Sequence, residues 1–145
     1  MITENYLSSL CKSYFDLKYS LYKVIETMCK EEGLTAFQTM MLFLIRSEGS
    51  LSVGDLSNYF NITHSNASTL CKKLEHDGLL CRTRSKKDER SVLISVTQQG
   101  EEMIERMLER GEKFADPLNE MPQEKLDLIL ATVDDAAAIM RKMAD

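Results

Sequence analysis

Seven basic side chains fall between residues 72 and 90: Lys72, Lys73, Arg82, Arg84, Lys86, Lys87 and Arg90. Four acidic ones share that window (Glu75, Asp77, Asp88 and Glu89), so it carries +3 in a chain whose formal charge is -5. The other 126 residues therefore hold -8. Lysine and arginine at this density are chemistry for anions. A basic patch on an acidic body suits a phosphate backbone, because that attraction acts locally. An ordinary solvated hairpin would carry the same charges, so charge alone leaves both readings open. Ahead of the patch lies a run of polar groups able to donate or accept at base edges: His64, Ser65, Asn66, Ser68 and Thr69. No arginine or glutamine stands among them for a bidentate base contact. Direct readout is expected to be modest, with DNA shape contributing more.

Other chemistries are thinly supplied. Of the two histidines, His64 has no Ser/Asp or Cys partner at a spacing that suggests a catalytic set, and His76 reads as a surface residue near a helix end. With no glycine-rich phosphate loop either, an enzyme is not expected. Cys11, Cys29, Cys71 and Cys81 lie far apart without a Cys-x-x-Cys pair, so reduced thiols and no metal site or cofactor are expected. The nine methionines fall mostly on apolar helical stripes and read as core filling. The first residues are acidic and polar where a secretory signal is basic and then apolar, and no stretch is long enough to cross a bilayer. A cytoplasmic protein without a membrane partner is the expectation.

The elements that must hold these side chains are readable from periodicity. Leu7, Leu10, Cys11, Tyr14, Leu17, Leu21, Val24, Ile25 and Met28 recur at helical spacing, which predicts one long helix over 4–30 ending at Gly33. Its aromatic residues lie on more than one face, which hints at a partner beyond its own domain and hence a homodimer. Thr35 with Gln38 and Ser52 with Asp55 form capping boxes. The first opens a helix bearing Phe37, Met40, Met41, Leu44 and Ile45. The second opens a short one with Val53, Leu56 and Phe60 inward. Thr63 caps the helix of Ala67, Leu70, Cys71 and Leu74, closing near Gly78: short helix, tight turn, second helix. Then the period falls to two. Residues 79–84 read as a strand, 85–89 as a charged turn, and 90–96 as the partner strand with Val92, Ile94 and Val96 inward. Thr97 caps a further helix with Met103, Ile104, Met107, Leu108 and Phe114, weakened at Gly111. Pro122 stands at the first position of the last helix.

The predicted fold is mostly α with a small β wing, one domain over 1–145. A winged helix-turn-helix unit over 33–97 is flanked by dimerisation helices over 1–32 and 98–145. The second helix of the motif is expected in the major groove, with Lys72 and Lys73 on phosphates. Arg82, Arg84, Lys86, Lys87 and Arg90 of the wing would reach phosphates or the minor groove. Asp88 would hold the turn and orient Arg90 by an ion pair.

The run from Asp77 to Gly100, with its helix end, its wing carrying Asp88-x-Arg90, its second strand and its Thr97…Gly100 helix opening, resembles the MarR (multiple antibiotic resistance regulator) family of bacterial winged helix regulators. The resemblance covers nearly the whole chain. It implies a homodimeric transcriptional regulator that binds double-stranded DNA at a pseudo-palindromic operator. Such regulators are usually repressors, often released by phenolic compounds, metals or oxidants. It also implies a pocket for a small aromatic or phenolic ligand between the dimer helices and the winged unit, where Tyr14, Leu17, Leu21, Phe37, Met41, Leu44 and Met107 would lie. Packed core is the plainer expectation for each of those seven. Cys11, 24 residues before Thr35, is similar in placement to the reactive thiol of the family's peroxide-sensing branch, although Ile25 and Ala36 stand where that branch supplies tyrosines. A thiol-based, peroxide-sensing repressor is thus one alternative. A winged helix that binds protein and not DNA is another; it predicts a neutral or acidic reading helix and wing, and here both are basic.

Overall fold

In the computed structural model, which describes residues 4–84 and 92–144, helix α1 runs Glu4–Cys29 and passes into a 3-10 turn at Lys30–Glu32. Gly33 ends it at φ 70, the left-handed conformation of a helix stop. Among its side chains whose burial is described, the buried ones lie in the last turns: Ile25, Met28 and Cys29. Helix α2, Ala36–Glu48, begins at the expected Thr35–Gln38 capping box and buries Met41, Leu42 and Ile45. Helix α3, Val53–Tyr59, begins at the Ser52–Asp55 box. Helix α4, His64–His76, begins at Thr63, whose hydroxyl accepts from the Asn66 N–H at 3.2 Å.

The hairpin follows as β2, Leu80–Arg84, and β3, Val92–Val96, antiparallel with Leu80 opposite Val96 and Arg82 opposite Ile94. A two-residue strand that periodicity did not reveal, β1 at Leu51–Ser52, pairs with β3 and makes a three-stranded sheet of order β1-β3-β2. Two residues are too few to display a period, so only the partner defines the strand. The alternation expected of β3 holds at its inner end alone. Ile94 is buried and Val96 half-buried, but Val92 is exposed, because the ribbon leaves the core as it runs toward its tip. β2 shows the same gradient, from buried Leu80 to exposed Arg84.

Helix α5, Gln98–Glu112, runs straight through Gly111, while Phe114 lies beyond its end and is exposed. A four-residue helix not expected from the sequence, α6 at Asp116–Asn119, comes next with a proline in its first turn. Helix α7 spans Gln123–Ala144. Pro122 sits one residue before it, and its carbonyl accepts from the Lys125 and Leu126 N–H groups, so it serves as the cap and not as the first helical residue.

The chain divides into two compact units, Met1–Glu109 and Arg110–Asp145. The first holds one continuous core. Met41, Leu42, Ile45, Leu56, Ala67, Cys71, Leu74, Leu79, Ile94, Ile104 and Met107 meet there, contributed by α2, α3, α4, the sheet and α5. Salt bridges tie α5 to this core: Arg46 to Glu101 at 2.8 Å and to Glu105 at 3.8 Å, and Arg106 to Glu32 at 3.3 Å.

Candidate nucleic-acid interface

The turn between α3 and α4 is built on Asn61, the one non-glycine residue of positive φ (50°) among the described residues. Asparagine tolerates that conformation better than most residues do. The Ile62 N–H donates to the Ser57 carbonyl, and Phe60 packs against Phe37 with ring centroids 4.9 Å apart and the rings tilted at 57°. These contacts fix the angle at which α4 leaves the core. On α4 itself, Ala67, Cys71 and Leu74 face inward. His64, Ser65, Asn66, Thr69, Lys72 and Lys73 are exposed and Ser68 is half-buried, so the polar residues expected to read DNA share the outward side of one capped helix. The Thr69 hydroxyl donates to the Ser65 carbonyl at 2.9 Å, leaving its oxygen open to a further donor.

The far end of α4 is locked to the start of α5. Gly78 turns out of the helix at φ 77, and its carbonyl accepts from the Thr97 hydroxyl at 2.6 Å. The Thr97 N–H donates to the Leu79 carbonyl at 3.0 Å, and the same Thr97 hydroxyl accepts from the Gly100 N–H. Gly100 is there for close approach: a methyl group on it would collide with the Leu79 carbonyl and the Val96 side chain. The Thr97…Gly100 pattern, read from sequence as a helix opening, therefore also clamps the end of α4.

The wing root brings an unexpected pair together. Arg82 and Leu80 point to the same face of β2, the face toward α4, and the Arg82 guanidinium meets the Glu75 carboxylate there, Nε to Oε2, at 2.9 Å. Cys71, one turn earlier on α4, lies buried beside them. Burial pushes its thiol up, and the nearby Arg82 charge opposes that shift. Glu75 entered the sequence reading only as a negative charge. Its seven-residue separation from Arg82 crosses a helix end and a strand start, and no local pattern flags such a contact. Arg84 is exposed farther along the strand. Lys86, Lys87, Asp88 and Arg90 lie outside the described residues, and with them the expected Asp88–Arg90 ion pair.

The seven residues named for a ligand pocket fall into three environments. Met41 and Met107 are fully buried in the core, Phe37 and Leu44 are half-buried at its edge, and Tyr14, Leu17 and Leu21 are exposed on α1. A shallow depression elsewhere on α1 is lined by Phe15, Lys18, Tyr19 and Tyr22. Of the four cysteines Cys11 is exposed, Cys81 intermediate, and Cys29 and Cys71 buried. The Cys29 thiol donates to the Leu34 carbonyl at 3.3 Å. His76 is exposed at the end of α4, its Nδ1 3.6 Å from Asp77. Among the described residues no cluster of three His, Cys, Asp or Glu could hold a metal ion, and no helix is long and apolar enough to cross a membrane.

Known proteins resemble this arrangement in sequence and in shape. Residues 23–107 match the model of the family described as Transcriptional regulator SarA/Rot. The HTH-type transcriptional regulator SarZ of Staphylococcus aureus (strain USA300) is 30% identical over 131 residues, covering 89% of this chain and 88% of that protein. Among solved structures, a MarR family protein from Bacillus stearothermophilus superposes with a TM-score of 0.75 at 23% identity, covering 97% of this chain and 99% of that one. A mutant MarR from E. coli complexed with operator DNA superposes at 0.70, with 14% identity over 94% and 99% of the two chains. The fold is thus the winged helix-turn-helix of MarR proteins, and with the family match across the helix-turn-helix, the sheet and α5, the chain belongs to the SarA/Rot family of transcriptional regulators.

Proposed function

We propose that the protein binds double-stranded DNA sequence-specifically as a homodimer in the cytoplasm and represses transcription from a pseudo-palindromic operator, released by a small aromatic or phenolic ligand. The observation that carries this is the exposed side of α4. A capped helix held at both ends presents His64, Ser65, Asn66 and Thr69 outward, with Lys72 and Lys73 following on the same exposed side. An enzyme site has no comparable support. In this reading the first turns of α4 enter the major groove, Lys72 and Lys73 rest on phosphates, and Arg84 with Lys86, Lys87 and Arg90 follows the adjoining backbone or minor groove. Asp88 orients Arg90. The helices over 1–32 and 98–145 supply the dimer contacts around the winged unit at 33–97. Exposed Tyr14, Leu17 and Leu21 on α1, and Ile129, Leu130 and Val133 on α7, are the surfaces that favour such contacts.

The test is a titration of duplexes selected by the full chain from random sequence, at several salt concentrations. Lys72→Gln and Arg84→Gln should each weaken binding to all sequences alike and lower the slope of log K against log salt by about 0.9. Ser65→Ala and Ser68→Ala should instead change which duplexes are preferred. An unchanged salt slope in both charge variants overturns the groove assignment.

A thiol-sensing reading is favoured by one observation, the exposure of Cys11 beside the burial of Cys29 and Cys71. Peroxide would then oxidise Cys11 to a sulfenic acid and release the operator. Loss of binding on mild peroxide treatment, reversal by thiol, and resistance of Cys11→Ser would establish it. Indifference of the wild-type protein to peroxide would end it.

A further inference from the structure

The Arg82 guanidinium is already engaged within the chain, by the Glu75 carboxylate. Arg82 is a wing arginine by sequence, but alternation along β2 places it on the side of buried Leu80, turned toward α4 and paired with Glu75. Both side chains of the pair are about two-thirds withdrawn from solvent, at 32% and 37% exposure. Arg84, the next residue on that face, has passed beyond the core and is exposed. Backbone and side-chain bonds also tie α4 to the base of the hairpin, where the Leu79 N–H donates to the Leu74 carbonyl and the Thr97 hydroxyl to the Gly78 carbonyl. Those bonds hold the root of the ribbon, and a contact farther out along it has the longer lever on its angle to the helix. The Arg82–Glu75 bridge, between the last turn of α4 and the middle of β2, braces that angle.

We infer that Glu75 and Arg82 form a strut that holds the wing at a set angle to the reading helix, and that Arg82 is a positioning residue and not a phosphate contact. The inference rests on the DNA-binding reading above and deepens it, because it names what fixes the geometry between two grooves. Helix and wing must reach their grooves together, so a braced wing favours sequences whose groove geometry matches it. A loose wing finds phosphates on any duplex. The strut therefore contributes to the preference for an operator over random DNA more than to affinity itself.

The experiment compares Glu75→Gln, Arg82→Gln and the double variant on two probes: the duplex that the full chain selects best from random sequence, and a scrambled duplex of the same length. Thermal unfolding by circular dichroism confirms that each variant folds. Each single variant should lower the selected-to-scrambled affinity ratio by about fivefold, and the double variant by no more than either single one. Arg82→Gln should leave the salt slope at the wild-type value, whereas Arg84→Gln lowers it. If Arg82→Gln lowers the slope by about 0.9 on both probes with the ratio kept, Arg82 touches phosphate and the strut is overturned. A ratio unchanged in both single variants overturns it as well. If the wild-type chain selects no preferred duplex, the DNA-binding reading itself fails, an outcome distinct from the other two.

Discussion

Gly100 shows how much one side chain's absence decides. Its Cα packs against the Leu79 carbonyl, a backbone atom that cannot swing away, and against Val96. Gly100→Ala should therefore cost about 1–3 kcal/mol of stability by overpacking, measured by urea denaturation, and more than Gly54→Ala, where the nearest atom is an ordinary 3.5 Å away. The thiols divide just as sharply. Cys71 is buried and its thiol is pushed up, so it is a poor nucleophile, whereas Cys11 is open to solvent. Alkylation of the native protein should label Cys11 first and leave Cys71 unmodified until denaturant is added, as peptide mass mapping would show. The residue types in the reading helix were legible from sequence because exposure there follows from helical period. The role of Arg82 was not, because its partner sits on another element.

At the scale of elements, the capping boxes were the clearest sequence signals, and both formed with reciprocal bonds. The box at α3 has a pH signature. The Ser52 hydroxyl donates to the Asp55 carboxylate at 2.7 Å and the Ser52 N–H at 2.9 Å, which together hold that carboxyl below its ordinary value. A lowered folded value means the cap contributes fully above the unfolded value of about 3.9 and is lost as pH falls through the folded one. Asp55→Asn should thus reduce stability at neutral pH, and the difference from wild type should shrink as pH drops below about 4, followed by melting temperature across that range. Periodicity named the hairpin strands but overran at Val92, since a pattern of alternation records pairing and says nothing of how far the core extends beneath it. It missed β1 and α6 for want of length.

For the whole molecule, the unburied apolar surface is the outstanding feature. Within the first unit α1 exposes Leu7, Tyr14, Phe15, Leu17, Tyr19, Leu21 and Tyr22, and within the second α7 exposes Leu128, Ile129, Leu130, Val133 and Ile139. Surface of that extent on helices calls for a partner. Each leucine buried in a dimer contributes about 1.5–3 kcal/mol, so Leu17→Glu combined with Leu21→Glu should raise the dimer dissociation constant by about two orders of magnitude or more. Sedimentation velocity would read this directly, and a dimer unchanged by the pair would place the interface elsewhere. Helix content should survive in the variant, because neither side chain serves the core of the single chain.

The sequence by itself determined what depends on near neighbours: the helix starts at Thr35, Ser52 and Thr63, the stops at Gly33 and Gly78, the change of period at the wing, and the polar outward side of α4. Caps and periods are set within a turn or two of chain, so composition and spacing reveal most of them. Only the tertiary structure decided that Arg82 meets Glu75, that Gly100 lies on the Leu79 carbonyl, and that Leu51 joins the sheet. Each of these is a contact between separate elements. Such contacts follow from how helices and strands share one core, which no window along the chain contains.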